Sequence, residues 1–161
     1  MPEAASAARR PVRTVLGFDY GNRRTGVAVG NTLTGTASPL TTLHGRPGQL
    51  DWPRIEQLVR EWQPSALVVG IPGGRDAAPH NASTEALRRR IRRFCQALEA
   101  RFGLPVYTVD ETLSSNEAYV HLRAQRAAGR RSALSKADID RTAAALLLET
   151  WMRKANPEVE S

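Results

Sequence analysis

The stretch "SALVVGIP", residues 65 to 72, constrains the fold more than any other part of the chain. Its apolar residues run on without polar alternation, and a proline and two glycines close it. A strand covered on both faces reads this way, and such strands belong to parallel sheets with helices on either side. It is therefore expected to be a central strand. Its flanks supply the helices. Upstream, Asp51 can cap a helix with Pro53 in its first turn, Ile55, Leu58, Val59 and Trp62 form one face, and Pro64 ends it. Downstream, Leu87, Ile91, Phe94, Leu98 and Phe102 recur at helical spacing from about Ser83 to Phe102. Gly103 stands where such a helix terminates.

Two runs near the start, "TVLGFDY" (14 to 20) and "TGVAVGN" (25 to 31), are short, apolar or β-branched, and bounded by glycine. They predict a hairpin, with Gly21 and Asn22 in the turn as residues that tolerate positive φ. "TASPLTTL" (36 to 43) reads as a third strand, placed at an edge by Pro39. "LPVYTVD" (104 to 110) is the fifth. "SSNEAYVHLRAQRAAG" (114 to 129) reads as a helix capped by Ser114 or Ser115, and "SKADIDRTAAALLLETWMRK" (135 to 154) as the last. Three early strands followed by alternating helix and strand give an α/β domain with a mixed five-stranded sheet flanked by helices. The pattern fits the ribonuclease-H-like fold. Residues 12–154 form the expected domain, with a disordered arm at 1–11 and a flexible tail at 155–161.

The charge balance narrows the partners. Among 161 residues, 23 are Lys or Arg and 16 are Asp or Glu, for a net charge of +7. Arginine's planar fork of donors suits phosphate, so nucleic acid is the expected partner. A single cysteine, Cys95, excludes an internal disulfide or a multi-cysteine zinc site. It lies within an apolar helical pattern and reads as a buried structural thiol. No run has the length of a signal peptide or a membrane span. A cytoplasmic monomer or homodimer with no membrane association is the expectation.

Acids gather at element ends: Asp19 at the end of the first strand, Asp110 and Glu111 after the fifth, Asp138 and Asp140 at the start of the last helix. Open α/β sheets build their sites at the carboxyl ends of strands, where these acids can converge. A group of carboxylates with no cysteine or histidine cluster suits a hard cation, Mg²⁺ or Mn²⁺, one ion or two. Such a centre serves phosphodiester hydrolysis without a nucleophilic side chain. Along the last helix, Ala143, Ala144, Leu147 and Trp151 fall at +3, +4, +7 and +11 from Asp140 and share its face. Asp140 is thus expected to point inward toward Asp19. Asp138 makes "S-x-x-D" with Ser135, a capping arrangement, with metal ligation as its other reading. Asp110 and Glu111 point to opposite faces by strand alternation, so one would bind a metal and the other cap a helix.

"LGFDYGNRRTGVAVG", "LVVGIP", "VDETLSSNEA" and "KADIDRTAAALLLETW" resemble, in order and spacing, the YqgF/RuvX family. That family is associated with Holliday junction resolution and with pre-16S rRNA cleavage. The resemblance covers about residues 12 to 152, and "TGTASPL" adds to it. It implies a metal-dependent nuclease of ribonuclease-H-like fold acting in 5′-end maturation of precursor 16S ribosomal RNA, with branched DNA as the alternative substrate. Carried onto this chain, its acids fall on Asp19, Glu111 and Asp140, as catalytic residues and metal ligands, with Asp110 and Asp138 as further candidates. One position departs. Where the family usually has a basic residue after the "DE" pair, this chain has Thr112, so a phosphate contact made by that group is either vacant here or passes to an arginine nearby. Arg23, Arg24, Arg123, Arg126, Arg130, Arg131 and Lys136 are the candidates for nucleic-acid binding.

Two rival readings follow from the same residues. "D-x-G-x-x-x-x-G" on a hairpin also resembles the phosphate loop of actin-like and sugar-kinase ATPases, but those use two such domains and this chain has one. The other rival is a non-catalytic nucleic-acid-binding domain, against which stand the three filled acid positions.

Overall fold

The computed structural model describes residues 13–21, 23–46, 48–71, 82–110 and 136–155. Strands β1 (Thr14–Tyr20), β2 (Arg24–Asn31) and β3 (Thr36–His44) come first. Helix α1 (Trp52–Trp62), β4 (Ala66–Ile71), helix α2 (Ala82–Phe102), β5 (Val106–Asp110) and helix α3 (Lys136–Ala155) follow. The sheet order is β3-β2-β1-β4-β5. β1 pairs antiparallel with β2, and β2 antiparallel with β3, while β1, β4 and β5 run parallel. The mixed five-stranded sheet flanked by helices is the expected ribonuclease-H-like arrangement. The helix expected over 114 to 129, the arm at 1–11 and the tail beyond Ala155 lie outside the described residues.

Local chemistry accounts for the boundaries. The Asp51 side chain accepts from the Arg54 backbone N–H and caps α1, and Pro53 occupies its first turn. Gln63, at φ 44°, ends that helix in a left-handed conformation, and Pro64 prevents its continuation. Gly103 ends α2 at φ 62°, in the left-handed region where glycine carries no steric penalty. Pro39 lies in β3, the edge strand, beside an irregularity in the pairing with β2 at Val27 and Ala28. That is the position a residue lacking an N–H donor can occupy.

Two packed layers cover the sheet. On one face, Val15, Ala28, Ala66, Val68 and Val109 pack against Ala143, Ala144, Leu147, Leu148 and Met152 of α3. On the other, Leu16, Phe18, Val27, Leu67 and Val69 meet Ile55 and Leu58 of α1 and Ile91, Phe94 and Leu98 of α2. Each fully buried Leu or Ile contributes on the order of 1.5–3 kcal/mol, so these layers dominate the stability of the sheet. Hydrogen bonds fix α3 along the edge strand: Thr42 Oγ1 donates to the Ala137 carbonyl at 2.6 Å, and the Ala37 N–H to Glu149 Oε2 at 3.3 Å.

Two expectations are corrected. The strand over 66–71 is buried on both faces, but it stands second from an edge, and the middle of the sheet belongs to β1. β2 of the hairpin and β3 after it both lie beyond β1, which shifts the centre. Trp62 does not join the buried face of α1 and is 37% exposed, standing at the last residue of the helix, directly before the left-handed Gln63 that turns the chain away. Cys95 is partly buried against the α2 side of the core. Desolvation, and next the Glu99 charge, push its thiol up to about 11, which keeps it protonated and inert at neutral pH.

Candidate active site

Alternation along β1 sends Val15, Gly17 and Asp19 to the α3 face and Leu16, Phe18 and Tyr20 to the other. Asp19 is 5% exposed, a carboxylate at the end of an otherwise apolar strand. Directly opposite it in the hairpin stands Gly26. Paired Cα atoms on neighbouring antiparallel strands lie about 5 Å apart and share a face. A Cβ at Gly26 would collide with the Asp140 carbonyl oxygen and lie 2.8 Å from the Arg141 nitrogen. The absent side chain is thus the clearance through which α3 descends onto the hairpin. It brings Asp140, 6% exposed, to the face and strand end that carry Asp19.

The helical spacing from Asp140 is realised. Ala143, Ala144 and Leu147 are buried with it, and Trp151, partly buried, stacks on Tyr107 of β5 at a centroid distance of 5.4 Å. Farther along the same helix, Leu148 packs over Gly17 and Gly30, where added Cβ atoms would lie 3.2 and 2.9 Å from it. Glycines on the sheet, as much as alanines on the helix, set the close spacing.

Arg24 joins the acids. Its Nε donates to Asp140 Oδ2 at 2.7 Å across 116 residues of sequence, with the arginine side chain 25% exposed and the aspartate 8%. Read from the sequence as a nucleic-acid contact, Arg24 is in this structure the cation that orients Asp140. The signal for Gly26 was present in the hairpin, since strands at 14–20 and 25–31 joined through residues 21–24 pair Tyr20 with Thr25 and Asp19 with Gly26. The Arg24 pairing had no local signal. Arg23, beside it, is exposed.

The other candidates divide. Asp138 bonds Arg141 one turn along α3 and is partly exposed. Asp110 ends β5, where Tyr107 and Val109 serve the α3 layer and Val106 the opposite one, so alternation puts Asp110 on the face away from Asp19. Lys136 opens α3. Glu111, Thr112, Arg123, Arg126, Arg130 and Arg131 lie outside the described residues. Among the described residues, no group of three or more His, Cys, Asp or Glu side chains is placed to hold a metal. Asp19 and Asp140 supply an oxygen-only pair.

Comparison with known proteins agrees with this architecture. Residues 13–154 match the family model described as "RuvX: Holliday junction resolvase". A relative from Azotobacter vinelandii named "Putative pre-16S rRNA nuclease" is 47% identical over 140 residues, covering 87% of this chain and 93% of its own. One of the same name from Pseudomonas paraeruginosa is 44% identical over 146 residues, covering 91% and 96%. Among solved structures, Thermus thermophilus RuvC in complex with a Holliday junction substrate superposes with a TM-score of 0.52 at 15% identity, covering 89% of this chain and 95% of that one. At that identity the likeness is one of fold. With the family model spanning nearly the whole described chain, and relatives well above 30% identical, this chain belongs to the RuvX family.

Proposed function

We propose that this protein is a nuclease that hydrolyses phosphodiester bonds with the help of Mg²⁺ or Mn²⁺, acting on precursor 16S ribosomal RNA in the cytoplasm. The observation that carries the reading is that Asp19 and Asp140, buried residues of the first strand and the last helix, both stand at Gly26: Asp19 opposite it in the hairpin, and the Asp140 backbone against it. Arg24 offsets part of the charge of these buried carboxylates, and a cation shared between them would offset more. Their oxygen-only donors suit a hard divalent ion. Glu111, which follows Asp110 and is the position on which the family's acid falls, is the third acid of this reading. The names of the curated relatives supply the substrate.

In this scheme Asp19, Asp140 and Glu111 would hold the cation, which when bound would activate a water and offset charge on the departing oxygen. Arg24 fixes the rotamer of Asp140, so that the carboxylate is set before substrate arrives. Arg23, exposed at the same end of the hairpin, draws in a backbone phosphate, as do the arginines of 123–131 and Lys136.

The test is cleavage of precursor 16S RNA beside a synthetic four-way DNA junction, each with and without Mg²⁺. RNA cleavage that requires the ion and falls at least about 100-fold in Asp19→Asn, with binding retained, is the expected result. Junction cleavage alone would move the substrate to branched DNA. Wild-type rates in Asp19→Asn would remove the nuclease assignment.

A further inference from the structure

Across the sheet from the acids, a cavity of about 350 Å³ opens beside the end of β1. Tyr20, Leu50, Trp52 and Phe94 form its apolar walls, and Arg90 and Arg93 stand at it from α2. The aromatic rings brace one another: Phe94 lies 5.0 Å from Tyr20 and 5.9 Å from Trp52, centroid to centroid. Arg101 sits over the Trp52 ring, its guanidinium carbon 4.2 Å from the centroid, and holds the indole at the wall. A second hollow shares Arg90 and Arg93 and adds Arg89. Burial raises the Tyr20 hydroxyl above its ordinary pKa while the nearby Arg90 charge works against that rise. The phenol therefore stays a neutral hydrogen-bonding group beside a guanidinium.

The walls are too apolar to suit a bare phosphate, and the arginines too cationic to suit an apolar ligand. The combination matches a molecule with a flat aromatic part and an anionic part. We infer that this pocket takes one unpaired nucleotide of the nucleic-acid strand, its base against Tyr20, Trp52 and Phe94 and its phosphate on Arg90 and Arg93. Single-stranded nucleic acid is held elsewhere by the same pairing of aromatic surface and basic groove. The volume lies at the lower end of the range for ligand sites, which suits a single nucleotide. Position supports the assignment. Asp19 and Tyr20 are neighbours that point to opposite faces, so the pocket and the acids flank the same strand end. The inference rests on the nuclease reading and deepens it: substrate would be engaged where a base is free to leave a helix, next to the bond that is cut.

Binding to the full chain carrying Asp19→Asn separates recognition from cleavage. The probes are a five-nucleotide single-stranded RNA, the same sequence within a duplex, and adenosine 5′-monophosphate. The pentamer is expected to quench tryptophan emission, and Trp52→Phe to abolish that quenching. Arg93→Ala, at an exposed position on α2, is expected to weaken the pentamer about tenfold and the duplex less than about twofold. Displacement of the pentamer by the monophosphate supports the pocket. Monophosphate quenching that the pentamer cannot reproduce overturns the strand as its ligand. Pentamer and duplex that both bind, unaffected by Arg93→Ala and without a Trp52 signal, overturn the pocket and leave the nuclease reading standing. Failure of both RNAs to bind overturns the two together.

Discussion

Asp19 and Gly26 stand opposite each other across the β1–β2 hairpin, and the Asp140 carbonyl occupies the space a side chain at Gly26 would need. One glycine thereby determines how near two acids from distant parts of the chain can come. Gly26→Ala forces the backbone of α3 or of the hairpin to shift, since no flexible side chain is present to yield. The expected cost is about 3 kcal/mol, the upper part of the range for overpacking, read from the urea midpoint. Cleavage is expected to fall further than stability alone accounts for. An unchanged midpoint would show that the helix does not rest on the hairpin there.

Arg24→Gln removes the charge that orients Asp140 while keeping much of the bulk. The pair is partly exposed, so the expected destabilisation is about 2 kcal/mol, as for a hydrogen bond to a charged group, rather than the larger loss of a fully buried pair. Its effect on binding distinguishes two roles. A positioning residue loses cleavage rate and leaves the salt dependence of RNA affinity unchanged, whereas a phosphate contact lowers the slope by nearly one.

Affinity for RNA is expected to fall as salt rises, with a slope of log K against log salt steeper than about −2, because bound cations released from phosphate drive association. Fluorescence titration of the Asp19→Asn protein between 50 and 200 mM salt, concentrations at which such slopes are commonly read, measures it. A flat response would remove the basic surface as the source of affinity.

Cys95 supplies a prediction in pH. Its thiol is raised from 9.0 to about 11, so its thiolate is scarcer in the folded chain than in the unfolded one. Alkylation by iodoacetamide at pH 8 is therefore expected to be about 100-fold slower than for an unhindered peptide thiol, two pKa units being a hundredfold in thiolate. The sign for stability is the same. The contribution is complete below pH 9 and is lost as pH rises through about 11, a loss that Cys95→Ser removes. Rapid labelling at pH 8 would place the thiol in solvent.

Much of the fold was legible because periodicity reports which faces are covered. The unbroken run at 66–71 marked an interior strand, and the spacing of Ala143, Ala144 and Leu147 turned Asp140 inward. Two misreadings arose where periodicity carries no information. It ranks Trp62 with Ile55 and Leu58, but cannot tell that this terminal residue of the helix is left partly uncovered. It marks a strand as covered without saying how many strands lie beyond. The Arg24–Asp140 pair joins residues 116 apart and depends on topology, which no local pattern encodes. Gly26 was readable in principle, because a hairpin register is set by its turn.

The two ends of this architecture also have a consequence for synthesis. β1 is made first and α3 last among the described elements, yet α3 both roofs one side of the sheet and delivers Asp140. A chain still lacking that helix carries Asp19 beside bare Val15, Ala28 and Val68, sticky to other chains and missing an acid. Protection from aggregation and completion of the acid pair thus arrive in a single docking event, the last one that synthesis of the described elements allows.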